Sequence, residues 1–93
     1  MRNLEEVIDN IKKLLSEEDE DLILCLDRII YDCGYTAPEV MGIRWNQCYR
    51  VLMDHLDLKS TNEKAIKIFS IFSGNSEENI IKELKKEEEQ ANG

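Results

Sequence analysis

The sequence predicts an all-α protein, a compact bundle of five to six short antiparallel helices. Three observations predict it. Apolar residues recur at helical spacing, and no stretch alternates as a strand does. Gly occurs four times and Pro once in 93 residues. Helix-start signals of the Ser/Thr/Asn type and Gly stops punctuate the pattern at short intervals. A chain of this length makes one domain with a modest core, expected over 1–86, with a frayed polar tail at 87–93.

The first helix carries Leu4, Val7, Ile8, Ile11, Leu14 and Leu15 on one stripe. Asn3 is placed to cap it, with Glu6 at the third helical position. Ser16 starts the second helix. The acids at 17–21 lie in or just before its first turn, where the helix dipole favours them. Its stripe is Leu22, Leu26, Ile29, Ile30 and Cys33, widened by Ile23 and Cys25, and Gly34 supplies a left-handed stop.

Thr36-Ala37-Pro38-Glu39 reads as a capping box, with Tyr35 and Val40 as a hydrophobic staple and Pro38 in the first turn. A helix is expected from about Ala37. Gly42 allows two readings, one helix over 37–57 or a turn between 37–41 and 44–57. Met41, Trp45, Cys48, Leu52 and Leu56 keep one stripe across the Gly. A break would let Ile43 bury, and the reading leans to the break. Ser60-Thr61-Asn62-Glu63 forms another capping box before Ala65, Ile66, Ile68, Phe69 and Phe72, and Ser73-Gly74 ends that helix. Asn75 or Ser76 opens the last helix, with Ile80, Ile81 and Leu84 inward.

The net charge of −8 is uneven. Residues 1–33 hold ten acids and four bases, residues 34–58 three acids and two bases, and residues 59–93 seven acids and six bases. The negative field over the first third repels nucleic acid and attracts basic surfaces. Glu17, Glu18, Asp19, Glu20, Asp21 and Asp27 are the candidate contacts to a partner protein with a basic face. Their role there is steering and rim contact.

No run of 18 apolar residues is present, so no membrane helix is expected. Acids throughout residues 1–15 argue against a secretion signal or transit peptide. Three Cys, none in a CxxC, point to a reduced cytoplasmic setting with free and mostly buried thiols. Cys25 and Cys33 stand about 12 Å apart along a helix, and Cys48 and His55 about 10 Å. Neither pair can share a zinc ion, whose ligands lie about 2 Å away. A single His with no nearby nucleophile makes no catalytic set, and four scattered Gly make no phosphate loop. The reading is therefore a non-enzymatic protein with no cofactor, metal or catalytic residue. It is an adaptor, or an inhibitor whose acidic face mimics nucleic acid.

The alternative is a helix-turn-helix regulator. After a turn at Gly42, a recognition helix at about 44–57 would expose Arg44, Asn46, Gln47 and Arg50, side chains that read base edges. The net charge disfavours a nucleic-acid partner. Trp45, Cys48 and Leu52 are expected to point into the core.

Taken together, "LILCLDRIIYDCGYTAPEVMGI", "CYRVLMDHL" and "NEKAIKIFSIFSGNSEENIIKEL" resemble the death-fold superfamily, and within it the caspase-recruitment domain. The resemblance implies six antiparallel helices with a short third one. Its fourth helix corresponds to Cys48–Leu52, its fifth to Lys64, Ala65 and Phe69, and its last to Ile81 and Leu84. It further implies assembly through charged faces, without catalysis.

Overall fold

A computed structural model describes residues 3–31 and 38–92, with side chains described for 3–31 and 42–90. The chain is all-α, as the spacing predicts. Its helices are α1 (Leu4–Lys12), α2 (Glu20–Tyr31), α3 (Pro38–His55), α4 (Glu63–Ser73) and α5 (Glu77–Asn92), and a 3-10 turn, Glu17–Asp19, leads into α2. No strand occurs among the described residues. Contacts group the chain into two units, Met1–Leu56 and Asp57–Gly93.

In the first unit α1 packs on α2, and α2 packs on α3. The Asn3 carboxamide oxygen caps α1 by accepting the Glu5 N–H at 2.9 Å. Leu4, Val7, Ile8 and Ile11 are buried. The stripe stops there, short of the expected Leu14 and Leu15. The Leu14 and Leu15 N–H groups turn to the carbonyls of Ile11 and Lys12, three residues back, which tightens the chain out of the α-helix. Leu14 is consequently exposed and Leu15 half-buried. α2 buries Leu22, Leu26 and Ile30.

α3 runs unbroken through Gly42, against the expected turn. Ile43, whose burial would have justified that turn, is 57% exposed. A helical Gly costs about 1 kcal/mol against Ala, which an 18-residue helix absorbs. The inward stripe also differs from the expected one. Arg44, Cys48 and Leu52, at i, i+4 and i+8, are buried, and Trp45 sits at the flank, half-buried. The stripe is rotated by a fraction of a turn, which places a charged residue where the pattern expects solvent. The expected Cys33, the Gly34 stop, Tyr35, Thr36 and Ala37 lie outside the described residues, as do the side chains of Glu39, Val40 and Met41.

In the second unit α4 packs on α5. Ala65, Ile66, Ile68, Phe69 and Phe72 of α4 are buried, as is Ile80 of α5. The cap of α4 is Asn62, not Ser60. Its carboxamide oxygen accepts the Ala65 N–H at 3.2 Å, and its amide donates to the Asp57 carbonyl at 2.7 Å. That second bond ties Asn62 to the preceding loop and so places the helix start two residues later. The Gly74 stop is where the sequence expects it, at φ 78°, with its N–H on the Ser70 carbonyl at 3.0 Å. Ser76 opens α5, its hydroxyl accepting the Asn79 N–H at 3.3 Å. α5 continues to Asn92 through the expected tail, with residues 85–90 all exposed.

Candidate functional site

The acidic turn at the head of α2 resolves into two kinds of carboxylate. Glu17, Glu18, Glu20 and Asp21 are exposed, and none of their side chains enters an ion pair among the described residues. Asp19 turns the other way and is 9% exposed. One of its carboxylate oxygens accepts the Ser16 N–H at 3.0 Å and the Ser16 hydroxyl at 3.3 Å. The other lies 3.5 Å from His55 Nε2, at the end of α3. Asp19 is thus a clamp that shapes the turn, with its carboxylate turned away from solvent.

Asp27 also differs from its expected role. It accepts a 2.7 Å hydrogen bond from Lys12 Nζ and ties α2 to the end of α1. That hydrogen bond, with the attraction of the same carboxylate, raises the Lys12 pKa above its usual 10.5. Four of the six candidate acids therefore remain on the surface. Two of them, Glu17 and Glu20, line an open groove of about 740 Å³ with Leu15, Ser16 and Ile23, so aliphatic and carboxylate side chains share its lining.

The alternative nucleic-acid residues are not brought together as a reading head. Arg44 is buried at 7% exposure, while Asn46, Gln47 and Arg50 are exposed. The expected turn at Gly42 is absent, so no separate recognition helix starts at 44. An Arg facing inward cannot reach a base edge.

Cys48 is buried, and burial pushes its thiol up from 9.0 to about 11. Cys25, expected inward, is exposed, because α2 buries a narrower arc than its apolar content suggests. No cluster of three or more His, Cys, Asp or Glu side chains able to hold a metal ion occurs among the described residues. No helix of the described residues is long and apolar enough to cross a membrane. A second open groove, of about 560 Å³ in the second unit, sets Ser60, Glu63, Lys67 and Glu77 over Ile66 and Ile81. Its charges are mixed, so it selects no ligand by sign.

Pairings that escape sequence reasoning are Lys12 with Asp27, Asp19 with His55 and Ser60 with Glu88. Their separations of 15, 36 and 28 positions carry no local signal. The exposed apolar residues Leu24, Tyr31, Ile43, Tyr49 and Met53 escape it as well. A register count on α3 would have found the last three had Arg44 been allowed inside. No protein-family model matches the chain, and neither the curated proteins nor the solved structures yield a match.

Proposed function

We propose that this chain is a non-enzymatic protein–protein interaction domain, an adaptor or an inhibitor, that meets a basic partner with the turn at the head of α2. The carrying observation is the set of four exposed carboxylates, Glu17, Glu18, Glu20 and Asp21, two of which, Glu17 and Glu20, line a groove together with Leu15 and Ile23. Carboxylates already committed to structure, such as Asp19 and Asp27, have little left to offer a partner. These four are uncommitted, and they raise the encounter rate with a cationic surface. The groove adds a place for the aliphatic stem of a Lys or Arg, whose charged end would rest between Glu17 and Glu20.

The proposal includes a reducing, cytoplasmic compartment, which rests on cysteines outside any CxxC pattern. It also includes the likeness to caspase-recruitment domains, which rests on the apolar pattern quoted above. No specific observation favours the nucleic-acid reading.

The test begins with affinity capture and identification of the bound protein. Association kinetics with that partner are then measured at low and high salt. The variant is Glu17→Gln, Glu18→Gln, Glu20→Gln and Asp21→Asn combined. The association rate is expected to fall by about tenfold or more at low salt and to lose most of its salt dependence. An unchanged rate with an unchanged salt slope overturns the acidic-face reading.

A further inference from the structure

We infer that the partner meets this chain with an amphipathic helix laid antiparallel along the outward face of α2. The inference rests on the acidic turn being a partner surface, and it adds what kind of segment binds there. Glu20, Leu24, Arg28 and Tyr31 stand at i, i+4, i+8 and i+11, within about 80° of the helix circumference. All four are exposed. The buried residues Leu22, Leu26 and Ile30 lie on the opposite side. Tyr31 at 67% and Leu24 at 58% are the two most exposed large apolar side chains among the described residues. One exposed apolar residue is ordinary on a surface. Here two share a stripe, about 10 Å apart along the axis, and the stripe continues from the groove that holds Glu20 and Ile23.

Charge selects the occupant. The face is negative at its head, at Glu17, Glu20 and Asp21, and positive at Arg28, about 12 Å beyond Glu20. Neither Glu20 nor Arg28 enters an ion pair among the described residues. A uniformly basic segment gains at the head and is repelled at Arg28, and a polyanion is repelled at the head. A helix with bases at one end, an acid further along and apolar residues on the same face satisfies all of it. Helix dipoles set the direction, because bases are favoured in the last turn of a helix and acids in the first. The docked helix therefore places its last turn over Glu17 and Glu20 and its first turn over Arg28 and Tyr31. From its N-terminus its contacts are apolar, acidic, apolar and basic at i, i+3, i+7 and i+11. These are the intervals from Tyr31 through Arg28 and Leu24 to Glu20.

The two parts of the face do different work. The carboxylates at the head draw a cationic end in and set the rate of encounter. Leu24 and Tyr31 lose water only once the helix is seated, so they set how long it stays. A tyrosine ring is a type of side chain that dominates binding energy when it is covered. Association and dissociation rates therefore report on the head and the ridge separately.

The test selects a display library of helical peptides, randomised on one face, against the full chain. The consensus should carry Lys or Arg in its last turn, with apolar residues four and eleven positions earlier and an acid eight positions earlier. A selected peptide is then measured kinetically against variants whose helical circular dichroism is unchanged. Leu24→Ser and Tyr31→Ser should each weaken it by about tenfold or more, mostly through faster dissociation. Repeating the selection on Arg28→Glu should exchange the acid of the consensus for a base. A library that yields no binder overturns the inference. So does a basic consensus without the apolar spacing, bound equally by both Ser variants, and that result leaves the acidic-turn reading standing. Bases in the first turn overturn the antiparallel direction. A consensus without bases overturns the inference and the acidic-turn reading together.

Discussion

Residues 3–56 and residues 57–92 are organised on different principles. The second region is punctuated locally, with one long and exposed cross-chain bond beside its caps, from the Ser60 hydroxyl to the Glu88 carboxylate at 3.4 Å. Asn62 caps α4, Gly74 ends it and Ser76 opens α5, each through partners within five positions. In the first region the polar ties that matter span the chain, Lys12 to Asp27 and Asp19 to His55. A local device can be read from adjacent letters, whereas a cross-helix tie exists only once helices have packed. The acidic turn shows the consequence. Five consecutive acids look alike in sequence, yet Asp19 is a structural clamp and its four neighbours are exposed to solvent.

The largest expected effect tests the core of the first region. Leu26 is fully buried, and Leu26→Ala should cost about 2–5 kcal/mol. Leu24, two positions away on the same helix, is 58% exposed, and Leu24→Ala should stay within about 0.5 kcal/mol. Chemical denaturation of both variants checks the pair, and equal losses would mean that α2 buries the wrong face.

The next effect compares a long-range tie with a local cap. Asp19→Ala removes the acceptor of the Ser16 N–H and the contact to His55, and should cost about 1–2 kcal/mol. Asn62→Ala removes the cap and the nearby bond to the Asp57 carbonyl, both local and exposed or part-buried, and should cost about 1 kcal/mol. Glu18→Gln should cost nothing measurable. Thermal melts of the three variants order them, and an Asp19→Ala as mild as Glu18→Gln would dissolve the distinction among the acids.

The alkaline limb of stability probes the first region further. Two groups of this region have raised values, Lys12 above 10.5 through its hydrogen bond to Asp27 and Cys48 from 9.0 to about 11 through burial. A raised folded-state value means that the native chain holds its proton longer than the unfolded chain. The associated stability is complete below the unfolded value and is lost as pH rises through the folded one. For Cys48 that window is pH 9 to about 11, and the Lys12 contribution follows above 10.5. Denaturation midpoints should fall across this range, and Cys48→Ala should flatten the first part of the fall. A midpoint constant from pH 8 to 11 would remove Cys48 from the interior.

The smallest effect concerns α3. Gly42→Ala should raise stability by about 0.5–1 kcal/mol, since the site is helical and open. A loss of stability would restore the turn that the sequence suggests.

The sequence by itself determined the all-α class and the inward residues of α1, α4 and most of α2. Burial at helical spacing needs only a periodic pattern and one solvent. It also determined the Gly74 stop and the Asn3 cap, whose partners lie within one turn. Only the tertiary structure decided that Arg44 turns inward and Trp45 to the flank, because a helix settles its rotation against neighbours rather than by its own composition. It alone separated Asp19 and Asp27 from the exposed acids, and it carried α3 across Gly42. For Asp19 and Asp27 the deciding contacts, to His55 and Lys12, lie far along the chain, and such partners leave no mark on adjacent letters.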